Sequence, residues 1–200
     1  MHTPENTASD YLNLSLKEFL DLVAAGGPAP GGGSAAAVAV ALAAGLSGMA
    51  ARLSADQLTA APELADRSDA LRRRVALLAR ADAESYGRVL DAYRLPGEPD
   101  PESVKDALSG AADVPLAVAE VGSEVAGIAV RLLDEGNPNL EGDALTAVLL
   151  AAAGVRAAAA LARINLSTAN LDDGRLGRAD ELVEETAATV RQATEGDGRG

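Results

Sequence analysis

The chain has no cysteine, no tryptophan, a single histidine and only two lysines among its 200 residues. Without cysteine there is no disulfide, no thiolate nucleophile and no thiolate zinc site. The one histidine, His2, belongs to a polar stretch that we read as a flexible N-terminal tail over residues 1–13. Any chemistry therefore falls to carboxylates, tyrosine, arginine, Lys17, Lys105, amides or backbone groups. Positive charge is short as well. With 17 Lys and Arg against 30 Asp and Glu, the formal net charge of -13 argues against nucleic acid and anionic membrane surfaces as partners. The N-terminus lacks the basic and apolar regions of a signal peptide, so a cytoplasmic protein is expected.

Three Tyr and one Phe are the only aromatic residues, and Ala makes up more than a fifth of the chain. Ala and Leu are strong helix formers, whereas strands would call for more Ile, Thr and aromatics. The expected fold is all-α, a single-domain bundle of about six to eight helices over residues 14–194, with a disordered C-terminus over 195–200. The runs 35–51 and 144–162 are long enough to raise the question of a membrane. Both are dominated by Ala and Gly, and the second carries Arg156, so close-packed core helices are the better expectation.

The stretch around which the rest is organised is Pro28-Ala-Pro-Gly-Gly-Gly-Ser34, followed by an Ala-rich run to Leu53. Prolines and glycines cannot extend the preceding helix, and Ser34 is read as the N-cap of the next one, so a tight loop opens onto a helix N-terminus. Such a terminus presents unpaired N–H groups to an anion or a polar ligand. No lysine follows the glycines, as a nucleotide-phosphate loop would require.

Ser15-Leu-Lys-Glu18 is a capping box opening a short first helix, with Leu16, Phe19, Leu20 and Val23 expected to dock on the others. In the second helix Val38, Leu42, Leu46, Met49 and Leu53 form a ridge beside a row of small residues, Ala37, Ala41 and Gly45. The third, from about Pro62 to Tyr93 with Pro96 as its stop, has an apolar stripe through Leu71, Val75, Leu78, Tyr86 and Val89. Asp82 interrupts it. An unpaired buried carboxylate is costly, so Asp82 lies at the stripe's edge, pairs with an arginine, or faces a ligand with a raised pKa. After the loop 97–101, a fourth helical region over 102–135 should kink or break near Asp113, because Pro115 falls inside it. Gly136-Asn-Pro-Asn139 makes a second loop, Asp143 is read as the N-cap of a fifth helix, and Arg156 and Arg163 lie seven apart on that helix.

Five segments in this order resemble the formiminotetrahydrofolate cyclodeaminase and methenyltetrahydrofolate cyclohydrolase family. They are 28–37 with Met49; Asp82-Ala-Glu-Ser-Tyr86 with Ala92-Tyr-Arg-Leu-Pro96; Ala111-Ala-Asp-Val-Pro-Leu116; Gly136-Asn-Pro-Asn139 leading to Asp143; and Arg163-Ile-Asn-Leu166. The chain departs from that pattern in three places. Leu53-Ser-Ala-Asp-Gln-Leu58 stands where the family has a Gly-Lys-Lys segment, Gly142-Asp143 where it has Ser-Asp, and Leu161-Ala162 where it has Asn-Val.

The resemblance implies a homodimeric helical enzyme of one-carbon folate chemistry, either cyclohydrolase or cyclodeaminase, with a pocket that a dimer could share. It implies a small-molecule folate partner, no other cofactor and no metal. Asp143 and Asp82 are the implied catalytic residues. Gly31, Gly32, Gly33, Ser34, Asn137, Asn139, Arg163 and Asn165 are the implied substrate-binding set. A second reading, a catalytically degenerate member acting as a dimeric helical binding or interaction module, draws on the three departures and the acidic charge.

Overall fold

The computed structural model describes residues 11–94 and 99–195. Expectations about His2, the tail before residue 11, the stop at Pro96, the start of the loop at 97 and the end beyond 195 lie outside the described residues. Among the described residues six α-helices follow one another: α1 (Leu16–Ala24), α2 (Gly32–Arg52), α3 (Ala61–Arg94), α4 (Pro101–Glu135), α5 (Glu141–Thr168) and α6 (Gly174–Glu195). Short 3-10 turns at Tyr11–Asn13 and Pro138–Leu140 precede α1 and α5. No strand occurs among the described residues. The all-α expectation holds.

The core is built on closeness of backbones more than on bulk. α2 packs against α3, α4 and α5, and the face it buries is its small one: Ala36, Ala37, Val40, Ala43, Ala44 and Ser47. Gly154 of α5 sits against Ala36 and Val40, and Gly122 of α4 lies between Val40 and Val155. At both positions a Cβ would overlap a valine methyl, so these helices approach one another only because glycine is there. Of the ridge beside that face, Leu42 and Leu53 are exposed, at 59% and 55%, while Val38 and Leu46 are partly buried against the core. In an Ala-rich helix the small face permits the closest packing, and the large side chains are left on the other side.

In α3 the expected apolar stripe is buried only in part. Its buried seam runs Ala65, Ser68, Leu71, Val75, Ala79, then Ser85, Val89 and Ala92, while Tyr86 and Tyr93 are exposed. Asp82 falls in that seam, three residues after Ala79 and three before Ser85. α1 keeps its capping box, with Glu18 accepting from the Ser15 backbone N–H at 2.7 Å, yet it hardly docks. Only Phe19 is buried, stacked edge-on against Tyr11, and Leu16 and Leu20 remain exposed.

α4 runs unbroken through Pro115, contrary to the expected break, and buries Val118, Val121, Val125, Ile128 and Leu132 as expected. The helices 32–52 and 138–168 are long and apolar enough to cross a membrane, but each has half or more of its most apolar window buried inside the bundle. That is how core helices behave.

Candidate active site

Three chain segments far apart in sequence meet at the start of α2. The loop before it reaches the helix through a cis Ala29–Pro30 peptide, and Gly31 occupies the N-cap position without a side chain to cap it. Ser34 is therefore not the cap. It is the third helical residue, fully buried, and its hydroxyl donates to the Ala79 carbonyl oxygen of α3 at 2.7 Å. The capping role passes to Asp82 on α3, whose Oδ2 lies 3.3 Å from Ser34 Oγ and whose carboxylate also takes the Ser34 backbone N–H. A Cβ on Gly33 would occupy the space of that carboxyl group. Gly33 is glycine because Asp82 rests on it.

Burial pushes the Asp82 carboxyl above its ordinary range, and the Ser34 hydroxyl and backbone N–H pull it back only in part. The two opposing effects are instructive. A helix N-terminus favours the anion, but removal from water costs more than that terminus returns. The result is an acid held in place whose proton is easier to keep than usual. Tyr11 sits close enough to feel the Asp82 charge, and its own hydroxyl is pushed up by burial and then by that carboxylate.

The third segment comes from α5. The Asn165 side-chain Nδ2 donates to the Ala111 carbonyl oxygen of α4 at 2.9 Å. That carbonyl is free because Pro115, four residues on, has no N–H to give it. A carbonyl oxygen only accepts, so the contact fixes which end of the amide is which and leaves Asn165 Oδ1 as the acceptor for a ligand. The carbonyl that Pro115 leaves unclaimed thus takes a partner from another helix. Arg175 of α6 steadies the same turn, donating to Asp113 Oδ1 at 2.7 Å and to the Ser109 carbonyl at 3.0 Å.

Between these groups is a cavity of about 350 Å³, lined by Gly31–Gly33, Asp82, Tyr86 and Asn165, with Leu161 and Ile164 as an apolar wall. It offers one carboxyl of raised pKa, one fixed amide acceptor, helix-start N–H groups and a half-exposed aromatic ring.

Other expected site residues lie elsewhere in the subunit. Arg163 points to α6, paired with Asp180 at 3.2 Å, and does not line the cavity. Asn137 is committed to its own loop: its Oδ1 accepts from the Asn139 N–H at 3.0 Å, and its Nδ2 donates to the Leu53 carbonyl at 3.0 Å. That places Asn137 and Asn139 at the far end of α2, roughly 30 Å from Gly33 by helical rise. Asp143 is the third residue of α5, with Leu140 at the cap position, and lies roughly 33 Å along that helix from Asn165. The structure brings Gly31–Gly33, Ser34, Asp82 and Asn165 together, and it does not bring Asn137, Asn139, Asp143 or Arg163 to them within one subunit. Sequence reasoning missed Tyr11, placed in a tail, and Tyr86, placed in the buried stripe. A tyrosine four residues after an inconsistent carboxylate was the available signal for Tyr86. Among the described residues no group of three or more His, Asp or Glu side chains is placed to hold a metal ion.

An all-helical subunit with a carboxyl buried against a glycine-rich helix start defines a class of helical enzyme domain. The chain belongs to the formiminotransferase-cyclodeaminase family, whose model matches residues 15–185. It is 35% identical to the methenyltetrahydrofolate cyclohydrolase of Methylorubrum extorquens over 193 residues, covering 90% of this chain and 91% of that protein. It superposes with a TM-score of 0.81 on the crystal structure of formiminotetrahydrofolate cyclodeaminase from Thermotoga maritima, at 29% identity, covering 94% of this chain and 98% of that one.

Two outcomes test the site as built. A carboxyl whose folded pKa is raised binds its proton more tightly folded than unfolded, so its ionisation removes stability as pH rises through the interval between the two values. Asp82→Asn should therefore melt higher than wild type at pH 7, with the difference closing as pH falls to about 4; an unchanged difference between those pH values contradicts the assignment. In Pro115→Ala the restored N–H competes for the Ala111 carbonyl, and the Asn165 side-chain amide protons should exchange with solvent faster by NMR. Unaltered exchange would show that Pro115 does not hold that amide.

Proposed function

We propose that this chain is a one-carbon folate enzyme whose reaction is the hydrolytic opening of methenyltetrahydrofolate to the 10-formyl compound, with Asp82 as its acid/base. The observation that carries this is the partly buried Asp82 carboxyl of raised pKa, set against the α2 N-terminus in a cavity with a fixed amide acceptor. Water adds to the cationic carbon between N5 and N10 and gives up a proton, which the carboxylate accepts. The carbinolamine then breaks its bond to N5 as its hydroxyl becomes the formyl carbonyl: the same group, now a carboxylic acid, returns its proton to N5, and the hydroxyl proton is released to water. A carboxyl with a pKa moved toward neutrality suits both halves of this exchange. Its negative form also stabilises the methenyl cation at the start. Asn165 Oδ1 would accept from an N–H of the pterin ring. The reading assigns no cofactor beyond the folate.

The cyclodeaminase reaction, in which N10 attacks a 5-formimino carbon and ammonia leaves, uses the same proton traffic. The match to the Thermotoga maritima cyclodeaminase structure favours it as the second reading.

The same proposal includes a cytoplasmic homodimer. The ridge of α2, exposed at Leu42 and Leu53 and partly so at Val38, Leu46 and Met49, is an apolar stripe a second copy can cover by two-fold symmetry. An antiparallel pairing of two α2 helices sets the far end of one beside the glycine loop of the other. Asn137, bonded to Leu53, travels with that end, and so does the neighbouring start of α5 with Asp143. The residues that one subunit keeps apart would then meet between two.

Purified protein offered methenyltetrahydrofolate and, separately, 5-formiminotetrahydrofolate should remove the methenyl absorbance in the first case, and Asp82→Asn should lower that rate about 10²- to 10⁴-fold. Catalysis of neither change would support the interaction module instead. If the site is shared, mixed Asp82→Asn and Asp143→Asn subunits should recover about a quarter of wild-type activity, because half the random dimers are mixed and each has one intact site. No recovery from two inactive parents contradicts the shared site.

A further inference from the structure

The hydrolysis proposed above moves two protons, and Asp82 carries only the one it takes from water and returns to N5. The other leaves the carbinolamine hydroxyl and has to reach solvent from beside a carboxyl held partly out of water. One further hydroxyl stands there. Tyr11 lines a cavity of about 380 Å³ that shares Pro28, Ala29, Ala83 and Tyr86 with the Asp82 cavity, so the two adjoin. Its ring is held edge-on against Phe19, with centroids 5.9 Å apart, and its turn is closed by the Leu14 N–H donating to the Tyr11 carbonyl oxygen at 3.4 Å. Phe19 is the only buried residue of α1, so the one firm contact of an otherwise exposed helix is the one that fixes this ring. The Tyr11 hydroxyl meets no hydrogen-bond partner among the described residues. Burial and then the Asp82 charge raise its pKa, so it stays protonated. A protonated phenol both accepts and donates a hydrogen bond. The charged side chains around the two cavities are not suited to this part. Glu84 is bonded to Arg80 at 2.7 Å, arginine has no acceptor, and Asp91 stands nine residues beyond Asp82, roughly 14 Å along α3.

We infer that Tyr11 is a further catalytic residue, the relay that takes the second proton from the carbinolamine hydroxyl to solvent; the inference rests on the folate reading of the Asp82 cavity. As the bond from the carbon to N5 breaks and the formyl carbonyl forms, the carbinolamine O–H bond gives its proton to the phenol oxygen, while the phenol's own proton passes to a solvent water. Tyr11 ends neutral, as it began, and one proton leaves with the solvent. A half-buried tyrosine suits this step, with its ring packed on the protein and its hydroxyl between the carboxyl and the surface. Tyr11 also lies before residue 15, where the match to the family's model begins, so it stands outside the pattern that model covers. The relay gives α1 a use as well, since its capping box and Phe19 hold the segment that carries the hydroxyl.

The test is Tyr11→Phe, which keeps the ring against Phe19 and removes the hydroxyl. With methenyltetrahydrofolate in dilute buffer, its kcat should fall at least about tenfold, with KM within about twofold of wild type. Added imidazole, a small base that can take the proton in the hydroxyl's place, should restore most of that loss once the rate without protein is subtracted, and it should leave wild type nearly unchanged. An unaltered kcat in Tyr11→Phe, a loss that imidazole does not reverse, or a rescue found in Tyr86→Phe and not in Tyr11→Phe overturns the relay and leaves the folate reading standing. No turnover by wild type overturns the folate reading, and this inference with it.

Discussion

The rest of the structure depends on one carboxyl group being pressed into the start of a helix. Asp82 lies on Gly33, contacts Ser34 and occupies the place where α2 would otherwise need a side-chain cap. Three features of the chain follow from that contact. Position 33 has no room for a side chain, Ser34 turns inward to bridge α2 and α3, and the α3 seam carries a polar group where Ala or Val would pack more cheaply. The penalty is a carboxyl kept partly out of water. Groups retained against stability in this way are frequent where acid or base chemistry is done, and here the group opens onto a cavity.

A second constraint sets the shape of the bundle around that contact. Gly122 and Gly154 let α4 and α5 come against Val40 of α2, and with so few aromatic residues the core is filled by short side chains at close range. Close approach brings Asn165 of α5 within reach of a carbonyl on α4. Pro115 then completes the arrangement by leaving that carbonyl unclaimed. A residue that reads as a defect in one helix becomes the means of orienting an amide on another.

Much of this architecture was legible in the residues. Ala and Leu content announced helices, Gly and Pro marked both loops, and Asp82 stood out as a carboxylate where apolar spacing called for none. The small residues beside the second-helix ridge pointed to a face that another helix can approach closely. In α2 burial follows the small residues, so Leu42 and Leu53 face out. The pairing of Pro115 with Asn165 could not be read, since nothing local links residues 50 apart on different helices. Asn137, Asn139 and Asp143 show a different limit. Motif order along a chain says nothing about which end of a long helix a motif reaches, and α2 and α5 carry these three residues far from Asp82 in one subunit.

The central claim is that Asp82 is a carboxyl held above its ordinary pKa at the α2 N-terminus. A ¹³C NMR titration of the aspartate carboxyl carbons, with Asp82 assigned by its loss in Asp82→Asn, measures this directly. The account predicts a midpoint for Asp82 clearly above that of the exposed aspartates. A midpoint at or below theirs would contradict it, leaving Asp82 as an ordinary helix cap.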